Sequence, residues 1–396
     1  MSKRLRLSRW PPIGLLKNGW FIPPARRWPS ACSANGVLRG LMMEKAMRTL
    51  VVETNHELSI REVPMPRYKE CQALVKMLSC GVCNGTDLKL IHGHFKNFDT
   101  YPAMLGHEGV GKVVEVGSKV KKLKVGDIVL LPFLEEKLDN FYSGWGSYSE
   151  YAVVGDAEAY IANGMGPGTP EFSEGYFAQT VIKPEDKVDP VEASMIVTFR
   201  EVLSAIRRFQ LQPNESVLVC GAGPVGLCFT KFSKLLGLKT VITTDIDDEK
   251  VAFAKTMGAD YAFNSRITNI NVEVKRLFPE GISYVVDAVG INELINQAME
   301  IIKYNGKICC YGISPKLGMN LDWSKAPYNW TIQFVQWPSK KEEAEAHAQI
   351  MAWINLGVLK PKDFISDVFD FEHIIDVFKL VEKPRSGTKK IVIKYF

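Results

Sequence analysis

Hydrophobic positions follow two different patterns in the two parts of this chain. Between residues 43 and 192, short apolar runs are separated by turn residues, whereas from residue 193 short apolar runs alternate with segments of helical period. A short apolar run bounded by turn residues is typical of a strand, and apolar residues spaced three and four apart are typical of a helix. The pattern therefore predicts an α/β protein with a small antiparallel β-barrel followed by a doubly wound parallel sheet.

The individual elements follow from these runs. In the first part we predict strands at 46–53, 58–63, 73–79, 112–116, 127–131 and 178–182, a helix ending at Ile91, and a loop over 138–168. In the second part we predict strands at 217–220, 240–244, 261–263, 284–287 and 307–311, and helices at 193–209, 227–236, 248–257, 272–277 and 291–302. A long helix at 342–356 is predicted to carry the chain back to the first part, where 389–395 supplies a last strand.

Three glycines mark the turn after the first strand of the predicted parallel sheet. Gly221, Gly223 and Gly226 stand between the apolar run 217–220 and a helical segment, and the next strand closes on Asp245. In such a turn the first glycine permits the tight bend, the second lets a pyrophosphate approach the backbone, and the third lets the helix pack on the sheet. A carboxylate about 20 residues further on binds an adenosine ribose and repels a 2′-phosphate, which favours NAD over NADP.

A second strand of this sheet ends near the same predicted site. The run 284–287 leads into Val289 and Gly290, at the edge where a nicotinamide ribose would lie. A glycine-rich turn that binds no ligand is the alternative interpretation. The predicted dinucleotide contacts are Gly221, Gly223, Pro224, Val225, Gly226, Asp245 and Val289.

Composition narrows the class of protein. With 396 residues, of which 46% are hydrophobic and 23% charged, the chain has the make-up of an ordinary globular protein. No apolar run reaches the roughly 18 residues that a membrane helix needs, and the eight cysteines show no disulfide framework spacing. The sequence therefore predicts a cytoplasmic protein with reduced thiols and no membrane partner.

Basic residues are concentrated at the start of the chain. Residues 1–42 contain eight Lys and Arg and no Asp or Glu, so the net charge of +5 becomes −3 over the rest. Nothing in this mildly acidic remainder indicates a nucleic-acid partner. We interpret 1–42 as a disordered or non-native extension before a start at Met42 or Met43, and a transit peptide is the alternative.

Two further motifs join the glycine turn. Cys83 follows a predicted strand, and Gly106, His107, Glu108 and Gly109 come next, ahead of the predicted strand at 112–116. With this set, residues 43–396 resemble the medium-chain dehydrogenase/reductase superfamily, most of all its zinc-dependent alcohol, polyol (sorbitol) and threonine dehydrogenases. The resemblance implies a GroES-like catalytic domain, 43–192 and 338–396, split around a Rossmann NAD-binding domain, 193–337. It also implies an active site between the two domains and a homodimer or homotetramer.

The same resemblance implies one catalytic zinc ion. Zn²⁺ makes the alkoxide of an alcohol accessible near neutral pH. Cys83 is then the thiolate ligand and His107 the imidazole ligand, while Glu108 is either a ligand or a partner of the metal site. Thr86 is the hydroxyl expected to start the proton relay. Asp87 is either part of that relay or a helix N-cap, and we favour the structural role.

The sequence departs from the family pattern at three places. Asn84 and Gly85 include a one-residue insertion before Thr86. A later zinc ligand falls on Val197, which cannot bind metal, and Glu201, one helical turn further on, is the predicted substitute. The segment 132–146, where many relatives carry four cysteines, has none, so no structural zinc is expected. The predicted zinc site is therefore Cys83, His107, Glu108 and either water or Glu201.

The leading functional hypothesis is hydride transfer between NAD and a secondary alcohol, such as a polyol, a sugar or a related hydroxy compound. A zinc-free quinone or enone reductase of the same fold and a non-catalytic NAD-binding protein are the alternatives. The small-molecule alcohol or carbonyl substrate is expected against the variable loops 90–100, 133–148 and 323–330. Trp145, Trp330 and Trp337 either line that pocket or fill the core.

Overall fold

A computed structural model describes residues 46–395, all within one compact unit. The extension predicted at 1–42 lies outside the described residues. No described helix is both long enough and apolar enough to cross a membrane.

The first half of the described chain is mostly short strands. Its strands form where β-branched and aromatic residues alternate between the core and the surface. The elements are β1 (Ala46–Val52), β2 (Leu58–Pro64), β3 (Gln72–Gly81), α1 (Asn84–Ile91), β4 (Ala103–Met104), β5 (Glu108–Val116), β6 (Ile128–Leu130), β7 (Tyr142–Ser143), β8 (Tyr151–Gly155), α2 (Ala157–Ala162), α3 (Gly175–Ala178) and β9 (Val181–Ile182).

From there strands and helices alternate. The elements are α4 (Pro190–Phe209), β10 (Ser216–Cys220), α5 (Pro224–Leu235), β11 (Thr240–Asp245), α6 (Asp248–Thr256), β12 (Tyr261–Asn264), α7 (Ile270–Leu277), β13 (Ile282–Asp287), α8 (Asn292–Met299), β14 (Ile302–Cys310), β15 (Trp330–Phe334), α9 (Lys340–Asn355), β16 (Ile365–Asp370), α10 (Ile374–Glu382) and β17 (Lys390–Lys394).

Six of these strands form a parallel sheet. Its order is β12-β11-β10-β13-β14-β15, so β10, which precedes the glycine turn, lies inside the sheet. The strand β10 is buried along its whole length, as expected for a strand covered on both faces. The predicted doubly wound parallel sheet is confirmed.

The remaining strands form two largely antiparallel sheets. One has the order β2-β1-β4-β7, and the other has the order β16-β17-β3-β5-β6-β9, with β8 also paired to β3. The C-terminal strand β17 pairs with both β16 and β3, so late residues complete a sheet that early residues began. The α/β fold class is confirmed, while the domain boundaries at 192/193 and 337/338 stay predictions.

The helix α4 packs among these sheets. Asp189 caps it by accepting hydrogen bonds from the backbone of Val191 and Glu192 (2.8 and 3.4 Å). Fourteen of its residues are buried, and it contacts β3, β5, α5 and α9. The predicted long helix near the C-terminal end, observed as α9, therefore packs on α4.

Several sequence-based elements were wrong or incomplete. The loop predicted at 138–168 contains β7, β8 and α2, and β8 pairs antiparallel with β3 through the buried residues Ala152 and Val154. The strand predicted at 178–182 is only Val181–Ile182, because Ala178 ends α3. The strands β15 and β16 and the helix α10 were not predicted; β15 and β16 lie at the edges of their sheets and pair with β14 and β17.

Candidate functional site

Adjacent ends of β3 and β5 position the predicted metal ligands. In this antiparallel pair Gly81, the last residue of β3, lies opposite Glu108, the first residue of β5. The segment that follows β3 and the segment that precedes β5 are therefore adjacent. Cys83 is the N-cap of α1, and His107 directly precedes β5. The structure brings together one ligand atom from each of Cys83, His107 and Glu108, all within 4.8 Å of one another.

Asp87 lies directly beside the imidazole of this cluster. Its Oδ1 is 3.3 Å from His107 Nδ1, at an ion-pair distance but not in hydrogen-bond geometry, so both atoms are buried without a hydrogen-bond partner. Its other oxygen, Oδ2, accepts hydrogen bonds from the Cys83 backbone N–H (3.0 Å) and the Tyr148 hydroxyl (2.8 Å). Asp87 is therefore not the N-cap of α1, which is Cys83, but a first-turn residue that binds the Cys83 backbone N–H. Its place beside the His107 ring was not predicted.

These neighbours also shift the pKa of His107. Burial lowers the pKa of His107, but the Asp87 carboxylate and the Cys83 sulfur offset burial, and the pKa lies well above its usual range. A partly buried thiol, a buried imidazole and a buried carboxyl group, with ligand atoms within 4.8 Å of one another, form a donor set that suits Zn²⁺. The arrangement therefore fits a metal ion.

Glu108 is held by a cation that the sequence analysis missed. Lys390 Nζ on β17 contacts both carboxylate oxygens of Glu108, at 2.7 and 2.6 Å, and the pair is almost fully buried. Burial alone would lower the pKa of Lys390. The negative charges of Glu108 and Cys83 outweigh burial, so the pKa of Lys390 lies above its usual value. The two residues are 282 positions apart, and no local pattern links them.

Close backbone packing at Gly81 makes room for this carboxylate. A Cβ atom at Gly81 would lie 2.3 Å from Glu108 Oε2. Thr198 on α4 also donates a hydrogen bond to Glu108 Oε1, at 3.3 Å. Glu108 is therefore fixed by groups from three separate segments.

Glu201 is not part of the cluster of ligand atoms among the described residues. Its carboxylate lies 3.8 Å from Lys340 Nζ, and Lys340 is held by both oxygens of Glu343 at 2.8 and 2.9 Å. Burial, then the charge of Glu343, raise the pKa of Glu201 to about 7. Val197 is fully buried in the hydrophobic core, consistent with its apolar side chain.

Thr86 lies in the first turn of α1 and is buried, whereas Asn84 and Gly85 before it are exposed. Its backbone N–H donates to the carbonyl of Cys83 at 3.2 Å. The one-residue insertion therefore lies in the first turn of α1, and Thr86 is three residues from Cys83 in the sequence.

Aromatic rings border the cluster on one side. The Trp145 ring lies 5.4 Å from the His107 ring, and Trp337 stacks on Trp145 at 5.8 Å with 24° between the planes. Phe95 meets both indoles edge-on, at 5.9 and 6.1 Å. We call Phe95, Trp145 and Trp337 the aromatic wall. Two of its members lie on the predicted pocket loops, while Trp330 belongs to β15 and is not part of it.

The glycine turn has the geometry of a dinucleotide site. Gly221 has φ = +97°, and a Cβ there would lie 2.7 Å from Val289 Cγ2. A Cβ at Gly226 would lie 1.9 Å from the Gly221 carbonyl oxygen, so only glycine fits. A Cβ at Gly223 would meet no protein atom within 4 Å, which leaves the N-terminus of α5, at Pro224 and Val225, open to a phosphate.

Asp245 ends β11 beside this turn. One of its oxygens accepts a hydrogen bond from the Ala222 backbone at 2.7 Å, and the other accepts from Ile246 and Asp247 at 2.8 and 3.1 Å. These backbone donors fix the carboxylate at the carboxyl edge of the parallel sheet, where dinucleotides bind in such folds.

A cavity of about 230 Å³ lies elsewhere. It is lined by residues from the β2–β3 connection, the segment 133–139 and Tyr176, and none of Cys83, His107, Glu108 or the glycine turn lines it. We therefore place the candidate site at the cluster and the glycine turn.

Comparisons with known proteins agree with this geometry. Family models described as alcohol dehydrogenase GroES-like domain and zinc-binding dehydrogenase match residues 69–192 and 224–350. A curated alcohol dehydrogenase from Geobacillus stearothermophilus is 33% identical, with 88% of this chain and 99% of that protein covered.

Solved structures share the fold. A protein named short chain alcohol dehydrogenase (rspB) from E. coli CFT073, solved with NADH, has a TM-score of 0.69 at 24% identity, with 88% of this chain and 99% of that chain covered. One described as a zinc-binding dehydrogenase from Sinorhizobium meliloti 1021, bound to NADP, has a TM-score of 0.70 at 21% identity with the same coverage. This chain belongs to the zinc-type medium-chain dehydrogenase/reductase superfamily and is an alcohol-dehydrogenase-type oxidoreductase.

Proposed function

We propose that this protein transfers hydride between a secondary alcohol and NAD, with one Zn²⁺ ion held at Cys83 and His107. The observation that carries the proposal is the convergence of the Cys83, His107 and Glu108 ligand atoms within 4.8 Å, in a chain that also has the open glycine turn. The bound metal polarises the oxygen of the alcohol or ketone and lowers the pKa of the hydroxyl.

The protein residues hold and orient these groups. Cys83 supplies the thiolate ligand, and Asp87 beside Nδ1 leaves His107 Nε2 as the metal-facing nitrogen. The Tyr148 hydroxyl and the Cys83 backbone fix Asp87 in turn. Thr86, buried in the first turn of α1, accepts the alcohol proton as its own hydroxyl proton passes on to water, and so starts the proton relay.

Glu108 has a different place in this proposal. Lys390 occupies both of its oxygens, so we assign Glu108 as a charge partner behind Cys83 and His107 and not as the third permanent ligand. Glu201 is paired with Lys340 and lies outside the cluster, so we assign it no ligand role; Cys83 and His107 would hold the ion together with water or substrate. No structural zinc is proposed, because 132–146 has no cysteine.

The cofactor is assigned as NAD and not NADP. Asp245 is fixed by backbone donors where an adenosine ribose would lie, and its charge opposes a 2′-phosphate. The glycines Gly221, Gly223 and Gly226 hold the pyrophosphate against the start of α5, and Val289 lies on the nicotinamide side.

The cellular setting is part of the same proposal. Seven described cysteines are free, which supports reduced thiols in a cytoplasmic protein. The strand β15 is the outer strand of the parallel sheet, and its last residue, Phe334, is 57% exposed, which supports pairing with a second copy in a homodimer or homotetramer.

An NAD-coupled assay over secondary alcohols, polyols and sugars, with the protein zinc-loaded or chelated, tests the function. We expect NADH formation from at least one secondary alcohol, its loss on chelation, and its return with Zn²⁺. Chelation should leave NADH binding intact, since the glycine turn holds no metal ligand. Undiminished turnover after chelation, with quinones or enones as acceptors, would replace this proposal with the zinc-free reductase. NADH binding without turnover of any compound would support a non-catalytic protein.

A further inference from the structure

The aromatic wall is an unusual surface to find against a metal-binding histidine. Its rings come from three separate segments, the region after α1, the segment after β7 and the segment before α9. They form a continuous group with the His107 imidazole, since Trp145 touches His107 and the other two rings touch Trp145. The wall is only partly core: Trp145 and Phe95 pack against buried clusters but stay half-buried, and Trp337 is 37% exposed.

The backbone at Trp145 is held in a conformation that a bulky residue rarely adopts. Trp145 has φ = +69°, in the left-handed region, and such strain persists only where the surroundings impose it. Its carbonyl accepts a hydrogen bond from Leu134 N–H at 2.7 Å, and its N–H donates to Ser143 Oγ at 3.2 Å. The fold thus fixes this indole against His107 at an energetic cost, which a residue that merely filled space would not require.

The cation at the edge of the wall already has its own partner. Lys340 Nζ lies 5.7 Å from the Trp337 ring, but both oxygens of Glu343 hold it. Glu201 lies 3.8 Å from the same ammonium group, at an ion-pair distance. A substrate lying on the wall therefore meets the faces and edges of three aromatic rings, and Lys340 is not free to bind its hydroxyls.

We propose that the aromatic wall is the substrate-binding surface and that it selects secondary alcohols whose carbinol carbon bears a flat, unsaturated group, such as an aryl or alkenyl substituent. The inference rests on the proposed function. In the reaction the carbinol C–H bond breaks and its hydride passes to NAD⁺, the hydroxyl proton leaves, and an aryl or enone-type ketone, NADH and H⁺ are formed.

This substrate class differs from the polyol or sugar that the sequence suggested. A flat ring gains stacking or edge contacts with aromatic side chains beyond its buried area, worth roughly 2- to 13-fold in binding per ring pair. A polyol on the same surface leaves hydroxyls without partners, which costs about 100-fold or more over two of them. The wall therefore favours the flat apolar class.

A matched pair of alcohols isolates flatness from size. The racemates 1-phenylethanol and 1-cyclohexylethanol differ only in ring saturation, and sorbitol represents the polyols. We expect kcat/KM for the phenyl compound to exceed that for the cyclohexyl compound by roughly 3- to 10-fold and that for sorbitol by about 100-fold or more. Equal values for the two rings, or a preference for sorbitol, overturn the inference while leaving the proposed function in place.

Variants then test whether the aromatic wall causes the preference for the phenyl compound. Trp337→Leu should bring the phenyl-to-cyclohexyl ratio towards one, whereas Tyr304→Leu, at a tyrosine on β14 that is 57% exposed and outside both the wall and the predicted pocket loops, should leave the ratio unchanged. Phe95→Leu provides a second test of the wall, and thermal unfolding verifies that each variant is folded. An unchanged ratio in both wall variants refutes the assignment.

A binding measurement separates failure of the inference from failure of the proposed function. Acetophenone and cyclohexyl methyl ketone are titrated calorimetrically into the NAD⁺-bound protein, in which neither ketone has a hydride donor and no turnover occurs. Tighter binding of acetophenone that is lost in Trp337→Leu supports the wall even if no alcohol is oxidised, in which case the proposed function fails alone. Equal affinities of the two ketones would refute the aromatic wall as a binding surface for flat groups, whichever alcohols the protein oxidises.

Discussion

The two halves of the candidate site are built in contrasting ways. The dinucleotide half is contiguous, running from β10 through the glycine turn to Asp245, and its close contacts are between backbone atoms of neighbouring segments. The metal half joins Cys83 and Asp87, the start of β5, Tyr148 and Lys390, which lie far apart in the chain.

This difference decides how each half responds to change. The glycine turn depends on the absence of side chains, so a single added methyl group should damage it. The metal half depends on paired charges in a buried place, so removing one partner leaves another uncompensated. Changes in one half should therefore leave the other measurable, which the following variants test.

Cys83→Ser should have the largest effect. Loss of the thiolate ligand is expected to lower bound zinc and to reduce kcat/KM about 1,000-fold or more, because a Lewis acid contributes several kcal/mol to the barrier. NADH binding, followed by fluorescence, should stay within about twofold. Cys80→Ala, at a buried thiol outside the cluster, is the matched control and should keep its zinc. Retained zinc and activity in Cys83→Ser would remove Cys83 from the site.

Lys390→Met tests the buried pair. Without the ammonium group, Glu108 is left as an unpaired buried acid, and the free energy of unfolding should fall by about 3–5 kcal/mol. Urea denaturation measures this, with the exposed Lys383→Met as control. The double variant Glu108→Gln with Lys390→Met should recover part of the loss, and a double variant no more stable than Lys390→Met alone contradicts a direct pairing.

Gly223→Ala should separate binding from folding in the dinucleotide half. Its added methyl meets no protein atom within 4 Å, so stability should hardly change, while NADH affinity should fall about 10- to 100-fold as the methyl intrudes on the phosphates. Gly226→Ala is the contrasting variant, because its methyl would collide with the Gly221 carbonyl and should destabilise the fold itself. Unchanged NADH affinity in a folded Gly223→Ala protein would place the pyrophosphate elsewhere.

Glu201→Gln should have the smallest effect, and one that depends on pH. Burial raises the pKa of Glu201 from 4.5 to about 7, so between these values the folded protein keeps a proton that the unfolded chain releases. The stabilisation from this group is complete below pH 4.5 and is lost as the pH rises to 7.

Replacement by the neutral amide should flatten that part of the profile by no more than about 2 kcal/mol. Urea midpoints at pH 5 and pH 7.5 measure the slope, and Glu345→Gln, at an exposed position of the same helix as Lys340, is the control. Zinc content should be unaffected, and a loss of zinc in Glu201→Gln would restore this residue as a ligand.

The dinucleotide half could be predicted from the sequence because its motif lies within one short segment. Gly221, Gly223 and Gly226 lie at fixed offsets between a strand and a helix, and each geometric role is decided within a few residues. The parallel sheet followed from the same alternation of strands and helices. Its edge strand β15 did not, because an edge strand has no continuous apolar run to reveal it.

The metal half was only partly predictable. Cys83 and His107 were found through motifs, but the contact of Asp87 with His107 and the pairing of Lys390 with Glu108 depend on strand register between distant segments. Glu201 was expected at the metal from helical spacing alone, and Lys340 on α9, which spacing along α4 cannot reveal, pairs with it instead. The aromatic wall likewise required the fold to bring three loops together.

The place of Lys390 on β17 bears on the order in which a growing chain acquires its two halves. The ribosome has already made every residue of the six-stranded sheet before it reaches β17, and domains tend to fold as they emerge. The Glu108 carboxylate therefore has no counter-ion until the last strand of the described chain has been made. The buried charge pair then becomes one of the last contacts of the fold to form, set by the docking of one C-terminal strand.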